Sequence, residues 1–421
     1  MRYNSAQDAS DISSMVFDFS RPHVLALALG ITVVIFACAQ VRAQQPFTVE
    51  PLVSPAPVSS LTGNLVASDT GLYLSWLESL NEGHAFRFAT WDGQTFSEPL
   101  TIHTSDAFFA NWADFGSMLP FADDRLAVHW LEKAANGTYQ YDIWMSLSDD
   151  GGTSWSPPQR PHRDGTLSEH GFVSLAEYGT SGFAGVWLDG RKFRKGARDN
   201  EMSLMFTTFA DGGFQDEHQL DGRICECCQT GMARTADGLF IAYRDRSSDE
   251  IRDISVVRYA DGAWTEPVTL HEDGWEIPGC PVNGPQVVAD GDHLAVGWFS
   301  AAGGDPRVQV KFSADSGASF GEVMRVDDGQ PAGRVDIEML GEATVMTWLE
   351  RGEGGEGAIK IRRLSPSDGP GPSHPIAYTG SGRASGFPRM AVFGGDVYVT
   401  WTEAYTRAGP SQVRIAKVKV E

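Results

Sequence analysis

Basic residues are scarce in this chain. Lys and Arg number 33 against 55 Asp and Glu, a formal charge of −22 at pH 7. That deficit argues against nucleic-acid backbones and anionic membrane surfaces as partners and suits solubility in an exposed compartment. Helical spacing is nearly absent, which removes bundles and α/β layers from consideration. A long apolar run is missing too: the best stretch, 24–39, is short for a membrane span. With 42% hydrophobic residues in 421, the chain is neither disordered nor short of core material.

The short apolar run follows Arg21-Pro22-His23 and leads through small residues to Val41-Arg42-Ala43. This pattern reads as a secretory leader cleaved near Ala43, with initiation at Met15 giving a more usual basic region. A lipoprotein-type Cys38 after Ile35-Phe36-Ala37 and an uncleaved anchor are the alternatives. Residues 1–43 are therefore set aside and 44–421 are read as one domain, secreted or periplasmic.

What is present is a repeat. An aromatic residue inside an apolar run recurs at Trp76, Trp130, Trp187, Tyr243, Trp298, Trp348 and Trp401, at intervals of 50–57 residues. Each run is short and alternating or wholly apolar, which is strand patterning. A first strand precedes each run and a third strand follows it. Then come a turn built on Asp and Gly and a fourth strand that opens on an aromatic and often carries Pro, as at Trp155-Ser156-Pro157-Pro158. Seven units result, and the last stops after its third strand. Residues 47–52 have the fourth-strand signature with no unit ahead of them, so they are expected to close the ring. The expected fold is an all-β propeller of seven four-stranded blades, with six blades as the alternative.

Two of the turns share a pattern over fixed positions: Ser148, Asp150, Gly152, Ser154 and Trp155, then Ser313, Asp315, Gly317, Ser319 and Phe320. Asp accepts hydrogen bonds inside the turn, Gly supplies positive φ, and the aromatic packs the turn onto the sheet. Both resemble the Asp-box repeats of sialidase-like β-propellers, whose members have six blades. The resemblance implies a fold and a structural role for these residues, on the rim away from the first-strand starts.

Those starts are where the repeat becomes individual: Asn111 to Asp114, Glu169-His170-Gly171, Cys225-Glu226-Cys227-Cys228, Cys280 to Asn283, Arg334 to Asp336, and Arg383 to Arg389. They are expected to converge on a central mouth. An acid two residues past six of the seven aromatics, at Glu78, Glu132, Asp189, Asp245, Glu350 and Glu403, with Ser300 breaking the series after Trp298, reads as a structural series binding amides or arginines of neighbouring blades. His162 and His170, near Asp164 and Glu169, are candidates for acid/base or metal roles or for a buried hydrogen-bonded pair. The basic loop from Arg191 to Lys195 is a candidate anion attractor. Cys225, Cys227, Cys228 and Cys280 are expected to form disulfides, for instance Cys280 with one of the other three. Alternatively they hold Cu(I) or Zn(II), strand alternation placing Cys225 and Cys227 on one face. No other cofactor is implied.

The sialidase resemblance further implies three arginines gripping a carboxylate, a tyrosine nucleophile backed by a glutamate, and an aspartic acid for acid/base work. The family's first-blade arginine has no counterpart, since 59–65 contains none. Arg334, Arg383 and Arg389, with Arg223 and Arg244, are the arginine candidates; Tyr243 or Tyr405 the nucleophile; Asp114 the acid. Arg191, His170 and Asn283 are candidate binding residues. Two functions stay open: binding or hydrolysis of a glycan or other small anionic ligand at the mouth, with exo-sialidase-like cleavage as its specific form, or a non-catalytic scaffold around the cysteines.

Overall fold

The computed structural model describes residues 47–193, 201–406 and 409–420. The expected leader, Cys38, the expected cleavage position near Ala43, and Arg194 and Lys195 of the basic loop lie outside them. The described chain forms seven antiparallel blades in a ring and no α-helix. The seven-blade expectation holds and the six-blade alternative falls. None of the described helices is long and apolar enough to cross a membrane.

Blade 1 runs Ser60–Ala67, Leu72–Ser79, His84–Trp91 and Leu100–Ser105. Blade 2 has Ser117–Pro120, Leu126–Lys133 and Tyr141–Ser148, its outer position reduced to a bridge between Met145 and Gln159. Pro157 and Pro158 stand beside that bridge and have no N–H to extend it. Blades 3 to 6 begin at His170–Tyr178, Gly231–Arg234, Gln286–Asp290 and Pro331–Leu340. Blade 7 pairs Arg389–Phe393, Asp396–Glu403 and Gln412–Val420 with Phe47–Leu52, in register from Phe47 opposite Val420 to Leu52 opposite Ile415. The N-terminal strand thus closes the ring and leaves no open edge.

Second strands are covered by neighbouring blades on both faces, which is why they read as continuous apolar runs rather than alternating ones: Ala343 to Glu350 are all buried. Trp76, Trp187, Trp298 and Trp348 fill the inter-blade layers. In two blades the acid two residues on takes the indole N–H on its own side of the strand, Trp187 to Asp189 at 2.8 Å and Trp348 to Glu350 at 2.6 Å. Most partners of this series belong to the same blade rather than the neighbour: Arg87 for Glu78, Arg191 for Asp189, Arg414 for Glu403.

The two patterned turns are alike. Asp150 accepts from Ser148 Oγ, Ser154 N and Ser154 Oγ at 2.6–2.8 Å, and Asp315 repeats this with Ser313 and Ser319 at 2.6–2.8 Å. Gly152 and Gly317 have φ of 85° and 80°. Trp155 meets Phe88 and Phe320 meets Phe240, each on the preceding blade, so the turns tie blades together. Tyr141–Ser148 starts at the mouth and ends at the turn, seven residues or ~23 Å away.

Candidate functional site

First-strand starts and the loops between second and third strands enclose a cleft of about 880 Å³. Its walls carry Trp112, Asp114, Tyr139, Tyr141, Glu169, Glu226, Cys227, Arg246, Glu250, Arg252, Cys280 and Arg383. The expected convergence at the mouth is therefore present for blades 2, 3, 4, 5 and 7.

At its floor, Tyr141 lies within hydrogen-bond distance of two carboxyls, Asp114 Oδ2 at 2.7 Å and Glu169 Oε1 at 2.9 Å. Tyr141 is fully buried and stacks on Phe109 at 3.9 Å. Asp114 is fixed from its other oxygen by Phe172 N at 2.8 Å, and Phe172 holds a φ of 55° to donate there. Gly171 makes the room: a Cβ on it would sit 2.0 Å from Asp114 Oδ2 and 2.8 Å from the Tyr141 ring. Burial pushes Asp114 up to about 7 and Glu169 up to about 8, the latter helped by the negative charge of Asp114. A phenol has one proton and can donate to only one carboxyl. The second contact is complete when Glu169 is protonated and donates to the phenol oxygen. Glu169 is the partly exposed member of the trio and so the one that meets a ligand.

From the next blade, Glu226 is held between two guanidiniums. Its Oε2 accepts from Arg252 at 2.6 Å and its Oε1 from Arg246. Glu250 binds the same two arginines, at 2.9 Å to Arg252 and 2.6 Å to Arg246. The cleft thus sets an acid with a raised affinity for its proton near a carboxylate whose charge two cations balance.

Behind this wall, His162 and His170 stack at 3.8 Å with planes 2° apart. His170 is completely buried, 3.5 Å from Asp142, 3.2 Å from Asp164 and 3.8 Å from Asp189. Burial alone would lower it, but Asp142 and Asp164 outweigh burial and hold it at about 9. Parallel rings send their lone pairs along parallel lines, so the two imidazoles cannot converge on one ion. The arrangement is a proton-holding core cluster, away from the cleft lining.

Several expected site residues stand elsewhere. Arg334 is buried in the rim and donates to Ser385 Oγ at 2.7 Å, Gly386 O at 2.9 Å and Gly382 O at 2.9 Å, clasping the 3₁₀ turn Arg383–Ser385. Asn283 braces the same region, its Oδ1 accepting from Arg334 N at 2.7 Å. Arg389 lies in the central channel, 3.3 Å from Asp336 and 3.3 Å from Asn64. Arg244 is buried, donating to three backbone carbonyls. Tyr243 is buried between blades and donates to Asp221 at 2.6 Å. Arg191 is engaged by Asp189 and Glu217. Only Arg383, over the Trp112 ring at 5.8 Å, and Asp114 reach the cleft among the catalytic candidates. Among the described residues the expected arginines do not gather into a three-arginine clamp.

The cysteines correct two expectations. All four are free, and Cys225 and Cys228 have sulfurs 3.1 Å apart, well beyond the ~2.05 Å of a disulfide. Residues 226 and 227 form a turn rather than a strand, so alternation does not apply and Cys225 meets Cys228 across a C-x-x-C spacing. Cys225 lies 4.0 Å from Cys227 and 3.3 Å from Arg252 Nη1. Burial would raise the Cys225 thiol; the adjacent thiols and Arg252 reverse this and hold it well below its usual value.

Sequence reasoning missed Tyr141, Glu250, Arg246 and Arg252, and gave Glu226, within the cysteine run, no role of its own. Tyr141 opens an ordinary third strand, and nothing local marks it. No family model and no curated protein matches the chain. Among solved structures it is similar to Trypanosoma rangeli sialidase in complex with the inhibitor DANA, at 11% identity over 77% of this chain and 56% of that one, TM-score 0.48. It is similar to the alpha-L-arabinofuranosidase Arb93A from Fusarium graminearum, at 12% identity over 90% and 97%, TM-score 0.48. It is also similar to Penicillium chrysogenum alpha-L-arabinanase complexed with arabinobiose, at 11% identity over 88% and 97%, TM-score 0.42. The chain spans about half the length of the sialidase, and likenesses this distant say nothing of activity.

Proposed function

We propose that the mouth cleft binds an uncharged glycan and hydrolyses it, with Glu169 as general acid and Glu226 as the partner carboxylate. The observation that carries this is the trio at the floor: Tyr141 contacts both Asp114 and Glu169, and those contacts are satisfied when Glu169 carries a proton. A glycosidase needs one protonated and one charged carboxyl at the scissile bond. Glu169 delivers its proton to the leaving oxygen as the glycosidic bond breaks. The Glu226 carboxylate supports positive charge at the sugar carbon, directly or through the water that adds there. Tyr141 and Asp114 are positioning residues.

The uncharged substrate follows from the arginines. Recognising a sugar carboxylate calls for several open guanidinium forks, and here Arg246 and Arg252 are bound by Glu226 and Glu250 while Arg334 and Arg389 are engaged elsewhere, which leaves Arg383 as the single other arginine of the described cleft. The exposed Tyr139 in the cleft wall offers a face for a sugar ring. The test is a panel of aryl glycosides, comprising neutral furanosides, neutral pyranosides and a sialoside, with wild type, Glu169→Gln and Glu226→Gln. The expected result is turnover of a neutral member, reduced by about 10²–10⁴ in Glu169→Gln. Turnover of the sialoside alone, or equal turnover in both variants and wild type, overturns the proposal. Binding of a glycan without turnover would reduce it to a lectin-like role.

A further inference from the structure

We infer that Cys225, Cys227 and Cys228 form a thiolate site for a soft d¹⁰ metal ion, Cu(I) or Zn(II), in the cleft wall, with Cys280 as an additional ligand. The site is independent of the glycan reading. Four observations support it. The three sulfurs lie within 4.8 Å of one another, and Cys225 is next to both others. A disulfide between Cys225 and Cys228 would leave Cys227 out, whereas one shared ion uses all three. The ring of sulfurs also has nearly the right size. Thiolate–zinc bonds of ~2.3 Å set tetrahedral sulfurs ~3.8 Å apart, so the 3.1 Å pair has to open by only ~0.7 Å and the 4.0 Å pair to close slightly.

The backbone suits the ion as well. Cys225 and Cys228 are ends of a two-residue turn, the spacing by which one segment offers two thiolates to a metal. Sulfur-only donors select Cu(I) or Zn(II) over harder cations. Finally, three or four thiolates around such an ion leave excess negative charge. Arg252 stands 3.3 Å from Cys225, and the buried Arg244 acts electrostatically on Cys228. These guanidiniums offset that charge in a wall where water cannot. Access is from the cleft, since Cys227 and Cys280 line it and Cys280 is exposed. On binding, each thiol releases its proton to solvent as its sulfur–metal bond forms.

The experiment titrates the reduced full chain with Zn(II) and, separately and anaerobically, with Cu(I), against a chromophoric chelator. One ion per chain is expected for at least one metal, with affinity lowered ~10–100-fold or more in Cys227→Ser, whose position is only partly buried. Because Cys225→Ser could disturb the core, wild type is also tested by thiol alkylation and mass mapping. Metal should shield positions 225, 227 and 228, and chelator should reverse the shielding. Uptake unchanged in Cys227→Ser, an alkylation pattern indifferent to metal, or a Cys225–Cys228 disulfide whose reduction yields no metal-binding chain would each overturn the inference.

Discussion

The phenol oxygen of Tyr141 stands 2.7 Å from Asp114 Oδ2 beneath the cleft, and this contact takes the phenol's one proton and leaves its oxygen to accept from Glu169. Glu169, with its affinity for a proton raised to about 8 by burial and by Asp114, is the acid form at neutral pH. Its folded value lies above its ordinary one, so the competent form is full at low pH and is lost as pH rises through about 8. The alkaline limb of kcat/KM should therefore fall near pH 8. With its proton turned to Asp114, the phenol oxygen accepts from protonated Glu169 and favours that form, so Tyr141→Phe should move that limb to lower pH while lowering kcat. A pH–rate profile whose alkaline limb is the same in wild type and Tyr141→Phe would show that the phenol does not act on the acid.

Gly171 is required by space rather than by backbone angle. A methyl there would lie 2.0 Å from Asp114 Oδ2 and 2.8 Å from the Tyr141 ring. Both are held, Asp114 by Phe172 N and Tyr141 by its stack on Phe109, so neither can retreat cheaply. Gly171→Ala should cost about 1–3 kcal/mol of stability and lower turnover by dislodging Glu169, read by thermal unfolding and by the same glycoside assay. Unchanged activity at full stability would mean that the trio tolerates rearrangement.

The ring was legible because its signals are local and repeated. Seven aromatic-centred strands counted the blades, and Phe47–Leu52 could be assigned to the last one because its fourth-strand signature had no blade of its own. The site was not legible for the opposite reason. Asp114, Tyr141 and Glu169 are 27 and 28 residues apart and belong to different blade segments, and no spacing rule joins a strand's first residue to the loops beside it. Arg334 resembled a ligand clamp because its partners are backbone carbonyls of the 382–386 turn, which have no sequence signature. The cysteines were paired by strand alternation, and the turn at 226–227 made the three-residue spacing the relevant one.

Gly152 tests the other rim. Its φ of 85° belongs to the region where a Cβ is strained, and a Cβ there would also lie 2.3 Å from the Phe88 ring of the preceding blade. Gly317 repeats both features against Phe240, at 80° and 2.4 Å. Gly152→Ala should therefore destabilise by about 2–4 kcal/mol, strain and overpacking together, and Gly317→Ala by a similar amount. Both glycines lie at the far ends of third strands from the cleft, so KM and kcat of the folded fraction should match wild type. Denaturant midpoints with matched kinetics check this, and a selective loss of kcat in either variant would show that the two rims are coupled.

The His162–His170 stack predicts a stability that depends on pH. His170 titrates at about 9 in the folded chain, above its ordinary 6.5, because Asp142 and Asp164 outweigh its burial. A raised value means that its contribution is fully present below about 6.5 and is lost as pH rises through about 9. His162 is shifted the other way by burial and by its charged neighbour, so it adds nothing to stability in that window. Asp114 and Glu169 are raised too and also weaken the fold as pH climbs, with values of about 7 and 8. The wild-type slope alone therefore does not isolate the histidine. His170→Gln does: its Tm should be lower than wild type at pH 6, and the gap should narrow steadily by pH 10. A gap that stays constant across this range would mean that His170 supports the core as a neutral ring, with no net attraction from the three aspartates around it.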